Sequence, residues 1–212
     1  MGREIEIKIP LTDVEYEKIF NVISGTEVIS GVEVCGKPEH ILKSDIYFSR
    51  YVTREESKAA GEPQVIRIRS EAVSEDKTNE RSFFCIKRKT IENGIELNRE
   101  DETFVENPEV IRDLLLFSGY HQFFEKNKDS ISVYCKSEVL ETSLFHLELE
   151  KVNGLKYIEV EVTDESDFDE GCDLPAADAV RLGLEKFIEQ FGLDSSKRDS
   201  RSWMEILRGG KL

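Results

Sequence analysis

Several short segments of the sequence place charged side chains at every second position. Successive side chains of a β-strand point to opposite faces, so residues two apart share a face. The first of these segments puts Glu4, Glu6 and Lys8 on one face and isoleucines on the other. A single strand with one solvated face would show the same alternation, so this segment alone does not indicate a site.

The alternation recurs in five further segments, and each carries mainly one sign of charge. A surface that only needs solubility tends to mix its signs. Carboxylates two residues apart on one face lie about 7 Å apart and repel each other unless a cation lies between them. The charged positions in these segments are Arg67 and Arg69, Lys87 and Lys89, Glu96, Glu100 and Glu102, Lys126 and Lys128, and Glu159 and Glu161.

Paired carboxylates beside clustered arginine and lysine are typical of a site that holds a metal ion and a polyanion. Oxygen ligands favour Mg²⁺ or Mn²⁺ over Zn²⁺, and guanidinium and ammonium groups bind phosphate oxygens. If the strands close into a barrel, the charged faces can point inward and the isoleucines outward. We therefore expect a polar tunnel that binds Mg²⁺ or Mn²⁺ and a polyphosphate.

The elements that would position these residues form an α+β fold, in which an antiparallel sheet dominates and helices are few. A capping box at Thr12 and Glu15 predicts the start of the first helix. Asn107 is the predicted N-cap of the second helix, and Gly119 follows its end. Helices are predicted over residues 13–23, 108–117, 175–191 and 201–208, and surface loops over 53–64 and 72–80.

Composition narrows the class of protein. The length of 212 residues fits a single domain over residues 1–212. The formal net charge of −15 argues against nucleic acid or an anionic membrane as the partner, because both bind basic surfaces. No apolar run has the length of a signal peptide or a spanning helix, so we expect a cytoplasmic protein. The four cysteines lie far apart and are predicted to be reduced core thiols; the three scattered histidines are assigned no chemistry.

Taken in order, these motifs resemble the CYTH superfamily, also called triphosphate tunnel metalloenzymes. The E-x-E-x-K pattern that ends at Lys8 is followed by D-x-Y-F from Asp45, by the I-R-I-R segment, by the Lys87 strand and by the glutamates at 159 and 161. The segments VNGLKYIEVE and DSRSWMEIL look closest to the class IV adenylate cyclase (CyaB-like) branch. The resemblance implies a closed antiparallel β-barrel of about eight strands with helices packed outside.

The resemblance also implies roles for individual residues. Lys8 would be the catalytic cation, and Asp45 and Tyr47 would be structural. Asn98 stands where the family usually has an arginine, so Arg99 would need a bulge to reach the interior. The triphosphate would be bound by Arg67, Arg69, Lys87, Arg99, Lys126 and Lys128, and the metal by Glu4, Glu6, Glu100, Glu102, Glu159 and Glu161.

The function implied is that of a metal-dependent triphosphatase acting on inorganic tripolyphosphate or on nucleoside or organic triphosphates. The alternative is a class IV adenylate cyclase that converts ATP to cyclic AMP and pyrophosphate. A third hypothesis is that the protein is not an enzyme but a non-catalytic sensor that binds polyphosphate or nucleotide. In each case we expect the protein to bind a small molecule that contains a triphosphate, and to bind neither nucleic acid nor a membrane. The protein could be a monomer or a homodimer.

Overall fold

The computed structural model describes residues 2–62, 65–73, 79–92, 95–140, 143–164 and 177–209. Within these ranges, the side chains at 2–4, 54, 89–92, 95–99, 143, 163, 164 and 177 lie outside the description. The predicted site residues Glu4 and Arg99 are among them, so only their backbones can be placed.

The described residues form eight strands in one antiparallel sheet. The strands are β1 (Gly2–Pro10), β2 (Val32–Ser49), β3 (Val65–Val73), β4 (Arg81–Glu92), β5 (Ile95–Val105), β6 (His121–Ser137), β7 (Ser143–Val152) and β8 (Leu155–Asp164). They follow the order β1-β5-β4-β3-β2-β6-β7-β8, and β1 pairs with both β5 and β8. This is the strand order of a closed barrel, and the predicted antiparallel α+β class is confirmed.

Two of the predicted helices are found with the expected bounds. The described helices are α1 (Asp13–Ile23), α2 (Arg54–Ala59), α3 (Pro108–Phe117), α4 (Ala177–Gln190) and α5 (Trp203–Leu207). The capping box of Thr12 and Glu15 is present at the start of α1. Asn107 precedes α3, but its side chain makes no capping hydrogen bond. The helices α1 and α3 therefore match the prediction, and Asn107 is the N-cap residue of α3, although its side chain does not bond to the helix.

The other helices differ from the prediction at their ends or in their existence. The helix α2 lies inside the stretch predicted to be a loop; Thr53 and Glu56 cap it reciprocally. It was missed because its six residues show no apolar periodicity. The start predicted for α4 falls at residues outside the description, and α5 begins after Ser202, whose hydroxyl accepts from the backbone of Glu205.

The outward faces of the strands build the main hydrophobic core. Ile5, Ile7 and Ile9 of β1 are at most 2% exposed and pack in one cluster with residues of α1 and α4. The β7–β8 turn is tight: Asn153 and Gly154 have φ of 50° and 83°, as in a two-residue turn that fits the twist of a hairpin. Because the outward-facing residues of a strand are buried in this core, the residues that alternate with them must point to the opposite, inner face of the sheet. Among the described residues, no helix is long and apolar enough to cross a membrane.

Candidate active site

A cavity of about 570 Å³ lies between the inward faces of the strands and the start of α5. Its size is in the usual range for a small-molecule site. Its lining is dominated by ionisable side chains, which come from all eight strands and from two helices. They are Glu6, Lys8, Lys43, Lys58, Arg67, Arg69, Lys87, Glu100, Lys126, Lys128, His146, Glu148, Glu159, Glu161 and Glu205.

Most of the predicted site residues line this cavity. Those that do are Glu6, Lys8, Arg67, Arg69, Lys87, Glu100, Lys126, Lys128, Glu159 and Glu161. Glu102 is not among the lining residues: its side chain is 37% exposed, and its Oε2 is 3.4 Å from Arg67 Nη2. Glu4 and Arg99 cannot be placed, because their side chains lie outside the described residues.

Asp45 gathers three of the cations expected to bind phosphate. Its side chain is 1% exposed, and Arg69 donates to it through Nε at 2.7 Å and through Nη2 at 3.2 Å. Lys126 Nζ is 3.2 Å from Asp45 Oδ2, and Arg67 Nε is 3.9 Å from Oδ1. Burial opposes ionisation of Asp45, but the surrounding cations hold its pKa well below its usual range. Asp45 therefore holds together three members of a cationic wall, which consists of Arg67, Arg69, Lys87, Lys126 and Lys128.

A second group of charges surrounds Glu100. Lys87 Nζ lies 2.6 Å from Glu100 Oε1, and Arg67 Nη2 lies 3.5 Å from Oε2. Burial raises the pKa of Glu100, but the charges of Lys87 and Arg67 outweigh it and lower that pKa to about 2. Cys85 Sγ and Glu102 lie close to the same carboxylate. Glu100 is thus ionised and paired with Lys87 and Arg67.

A compact acidic group was only partly predicted. Glu148, Glu150 and Glu159 each bring an oxygen within 4.8 Å of the other two. Lys128 Nζ donates to Glu150 and, at 2.8 Å, to Glu159 Oε2, while Lys43 donates to Glu148. Burial first, and then the charge of Glu159, raise the pKa of Glu150. Its Oε2 is buried without a hydrogen-bond partner among the described residues.

This acidic group fits a divalent cation. Three closely spaced carboxylates, one with an unsatisfied oxygen, form a hard-oxygen donor set suited to Mg²⁺ or Mn²⁺. Among the described side chains, the predicted metal ligands do not form a single group of this kind. Glu159 groups with the two β7 glutamates, while Glu100 and Glu102 group with Cys85.

Glu148 and Glu150 were missed by the sequence reasoning although a signal for them exists. The segment H-L-E-L-E at residues 146–150 has the same two-residue alternation as the strands that were used. Lys43 was also missed; it shares the parity of Asp45 on β2. These residues pair across strands with the predicted ones: Glu148 faces Glu159, and Lys43 faces Lys128.

The C-terminal segment covers one side of the cavity through Trp203. Its Nε1 donates to Glu159 Oε1 at 2.8 Å. The ammonium groups of Lys8, Lys126 and Lys128 lie 5.5, 5.6 and 5.3 Å from the centroid of its ring. Lys8 also donates to the backbone oxygen of Arg201 at 2.7 Å. The predicted catalytic lysine and a predicted metal ligand are therefore held by the same C-terminal segment.

His146 is one of the residues around the cavity, although the histidines were assigned no chemistry from the sequence. It lines the cavity, and its Nδ1 is 2.6 Å from Glu161 Oε1. Its Nε2 is 2.7 Å from Ser132 Oγ. Burial opposes protonation of His146, but the hydrogen bond and the charge of Glu161 raise its pKa. These contacts could not be predicted from a local sequence pattern, because Ser132 and Glu161 are distant from His146 in the chain.

Part of the lining is apolar. Tyr47, Phe124, Met204 and Val65 share the cavity with the charged groups. The rings of Tyr47 and Phe124 lie 5.5 Å apart, and Lys126 Nζ is 5.8 Å from the centroid of Tyr47. The cavity thus offers an organic surface beside its cationic wall.

Comparison with known proteins identifies the fold. No model of a known protein family matches the sequence, and no curated protein matches it. Among solved structures, the PH1819 protein from Pyrococcus horikoshii OT3 is 20% identical, with a TM-score of 0.68 over 98% of this chain and 99% of that one.

Two further solved structures have descriptions that name an activity. A candidate adenylate cyclase from Vibrio parahaemolyticus is 16% identical, with a TM-score of 0.61 over 97% of each chain. A candidate adenylyl cyclase from Hippeastrum, described as having a dominant triphosphatase activity, is 15% identical, with a TM-score of 0.58 over 100% of this chain and 97% of that one. At these identities the likeness concerns the fold and not the substrate. The chain therefore has the CYTH, or triphosphate tunnel, fold that its motifs predicted.

Proposed function

We propose that the chain is a metal-dependent enzyme that hydrolyses inorganic tripolyphosphate or nucleoside or organic triphosphates inside the cavity. The observation that carries this proposal is the convergence of a cationic wall and a compact acidic group on one cavity of about 570 Å³. Neither feature alone is specific. Together they match what phosphoryl transfer needs, which is positioning and neutralisation of a polyanion.

The cationic wall would bind the triphosphate. Arg67 and Arg69 offer forked donors, and Lys87, Lys126 and Lys128 offer point charges. A triphosphate carries about four negative charges near neutral pH, which these groups can neutralise. Asp45 and Glu100 hold the cations in place when no substrate is bound. These carboxylates would compete with the substrate for the cations. Because of this competition, a ligand with several negative charges would bind better than a single phosphate.

The acidic group would hold Mg²⁺ or Mn²⁺ through Glu148, Glu150 and Glu159, with Glu161 beside them on β8. A bound divalent cation neutralises phosphate oxygens and lowers the pKa of water. Lys128 now bridges Glu150 and Glu159, so its ammonium would turn toward the substrate when another cation takes these oxygens. Lys128 would therefore neutralise Glu150 and Glu159 before the metal binds, and would contact the substrate afterwards.

Lys8 is placed to orient the attacking water. The residue is 4% exposed, and its ammonium donates a hydrogen bond to the backbone oxygen of Arg201. The remaining N–H groups of Lys8 can donate to a water oxygen or to a charged phosphate oxygen. Because Trp203 shields this region from solvent, such a hydrogen bond is stronger than in bulk water. In this proposal Lys8 is the catalytic cation.

The apolar lining supports a second candidate function. Tyr47, Phe124 and Met204 could receive the adenosine of ATP, as a class IV adenylate cyclase requires. Cyclisation would also need the ribose 3′-hydroxyl held in line with the α-phosphate. The charged groups serve either reaction, so the products decide between the two candidates.

The test supplies tripolyphosphate and ATP separately with Mg²⁺ or Mn²⁺ and identifies the products by chromatography. The proposal expects orthophosphate from tripolyphosphate, at least as efficiently as any cyclic AMP is made from ATP. Lys8→Ala should abolish the reaction, while the exposed Lys186 on α4 supplies the control, Lys186→Ala. Cyclic AMP and pyrophosphate from ATP, without orthophosphate from tripolyphosphate, would establish the cyclase instead. Tight binding without any product would indicate a sensor.

A further inference from the structure

A chain of hydrogen bonds leads from the sheet to Glu161. Ser132 of β6 contacts His146 Nε2 at 2.7 Å, and His146 Nδ1 contacts Glu161 Oε1 at 2.6 Å. The imidazole also stacks on Tyr134, with ring centroids 4.8 Å apart and planes inclined by 29°. Three strands, β6, β7 and β8, therefore fix one histidine from three directions.

The direction of one hydrogen bond in this chain follows from elementary chemistry. An ionised carboxylate can only accept, so Nδ1 of His146 must carry the proton that it shares with Glu161. The Nε2 atom then accepts from the Ser132 hydroxyl, or donates to it when the ring is charged. Both ring nitrogens are therefore engaged within the protein in either charge state. His146 has no nitrogen left for a substrate, and its role must be exerted through Glu161.

The two glutamates of β8 are held in different ways. Glu159 is paired with the ammonium of Lys128 and with the indole of Trp203, both of which belong to the substrate-facing wall. Glu161 is instead bonded to His146, whose other ring nitrogen is bonded to Ser132. A glutamate side chain loses conformational entropy when it binds an ion. If a hydrogen-bond partner already fixes its rotamer, that entropy is lost during folding and no longer opposes ion binding.

We propose that His146 is a positioning residue that, with Ser132 and Tyr134, fixes Glu161 as a ready-made ligand for the metal. This inference rests on the proposed function, since it assumes that the acidic side of the cavity binds a divalent cation. The histidine does not touch the substrate. Its contribution is to the affinity for the metal, and it reaches the rate only through the occupancy of that site.

The test measures the affinity for Mn²⁺ in the full chain without substrate, by electron paramagnetic resonance. His146→Phe keeps an aromatic ring against Tyr134 but removes both nitrogens, and should weaken Mn²⁺ binding about 10- to 100-fold. His146→Asn restores an N–H close to the place of Nδ1 and should recover part of that loss. His40 supplies the matched control, because its 2.7 Å contact with Asp129 is equally short but lies on the surface, with the two side chains 42% and 45% exposed. His40→Phe should bind Mn²⁺ as the natural chain does.

Two further measurements separate positioning from a general effect on the fold. Ser132→Ala removes only the far hydrogen bond, and it should weaken Mn²⁺ binding in the same direction by a smaller factor. With three histidines in the chain, imidazole ¹⁵N spectra can be assigned by single substitutions. The Nδ1 signal of His146 should shift when Mg²⁺ is added, and that of His40 should not.

The outcomes distinguish this inference from the proposed function. If the natural chain binds Mn²⁺ and Glu161→Gln weakens binding, but His146→Phe and Ser132→Ala do not, Glu161 binds without help and the inference alone is overturned. If Glu161→Gln has no effect while Glu159→Gln does, the inference is overturned because Glu161 is not a ligand. If the natural chain binds neither Mn²⁺ nor Mg²⁺, the metal-dependent function is overturned together with it.

Discussion

Replacing Asp45 by asparagine should destabilise the protein and, at the same time, make its stability depend more strongly on polyanions. The carboxylate is 1% exposed and lies 2.7 Å from Arg69, 3.2 Å from Lys126 and 3.9 Å from Arg67. Asparagine has nearly the same shape but no charge, so these buried cations lose their common counter-charge. Breaking a buried ion pair by removing one partner costs about 3–5 kcal/mol. We expect a loss of about this size in the free energy of unfolding at pH 7.

Urea denaturation with and without tripolyphosphate provides the assay. Because the cations of the variant lack their carboxylate, tripolyphosphate should raise its midpoint more than that of the natural chain. Asp129→Asn is the control: this carboxylate pairs with His40 on the surface, where such pairs are worth about 0–1 kcal/mol. Equal stabilisation of both chains by tripolyphosphate would refute the assignment of these cations to the substrate, whatever the loss of stability.

The pH dependence of the same variant gives a further check. The folded-state pKa of Asp45 is lowered, so its contribution to stability is fully present above the unfolded value of about 3.9 and is lost as the pH falls below it. The difference in stability between the natural chain and Asp45→Asn should therefore be constant near neutrality and shrink below about pH 4. A difference that grows on acidification would contradict the burial of an ionised carboxylate.

Further predictions concern the metal side and the C-terminal segment. Glu159→Gln should weaken Mn²⁺ binding and also cost about 1–3 kcal/mol of stability, because Lys128 and Trp203 lose a charged acceptor; denaturation and metal titration of one preparation measure both. Trp203 is the single tryptophan, so binding of tripolyphosphate near Lys8 and Lys128 should change its emission, and a silent spectrum at saturating ligand would argue against this location. Glu148→Gln should lower the rate at limiting metal more than at saturating metal, which a metal titration of turnover measures.

Period-two alternation predicted much of the sheet and of the site. Strand parity is a local property, so one-sided charge on I-R-I-R was enough to place Arg67 and Arg69 on an inner face. The capping box at Thr12 was equally local, and the structure confirms α1 from end to end. The same reasoning could have found Glu148 and Glu150, whose alternation is as regular as that of the strands that were used.

Other features depend on contacts that no local pattern carries. One partner of Glu159 is Trp203, 44 residues away, and that contact exists only after the C-terminal segment closes over the cavity. The role proposed for His146 depends on register between β6, β7 and β8, which brings Ser132 and Glu161 to opposite sides of one ring. The helix α2 forms through its caps and not through an apolar stripe, so hydrophobic periodicity could not reveal it.

The most direct test of the central claim follows tripolyphosphate by phosphorus NMR with protein from which divalent metal has been removed. The account predicts no reaction until Mg²⁺ or Mn²⁺ is added, and then the appearance of orthophosphate and pyrophosphate, with Lys8→Ala remaining inactive and Lys186→Ala behaving as the natural chain. Hydrolysis that proceeds unchanged without metal, or no hydrolysis of any triphosphate when metal is present, would contradict the account.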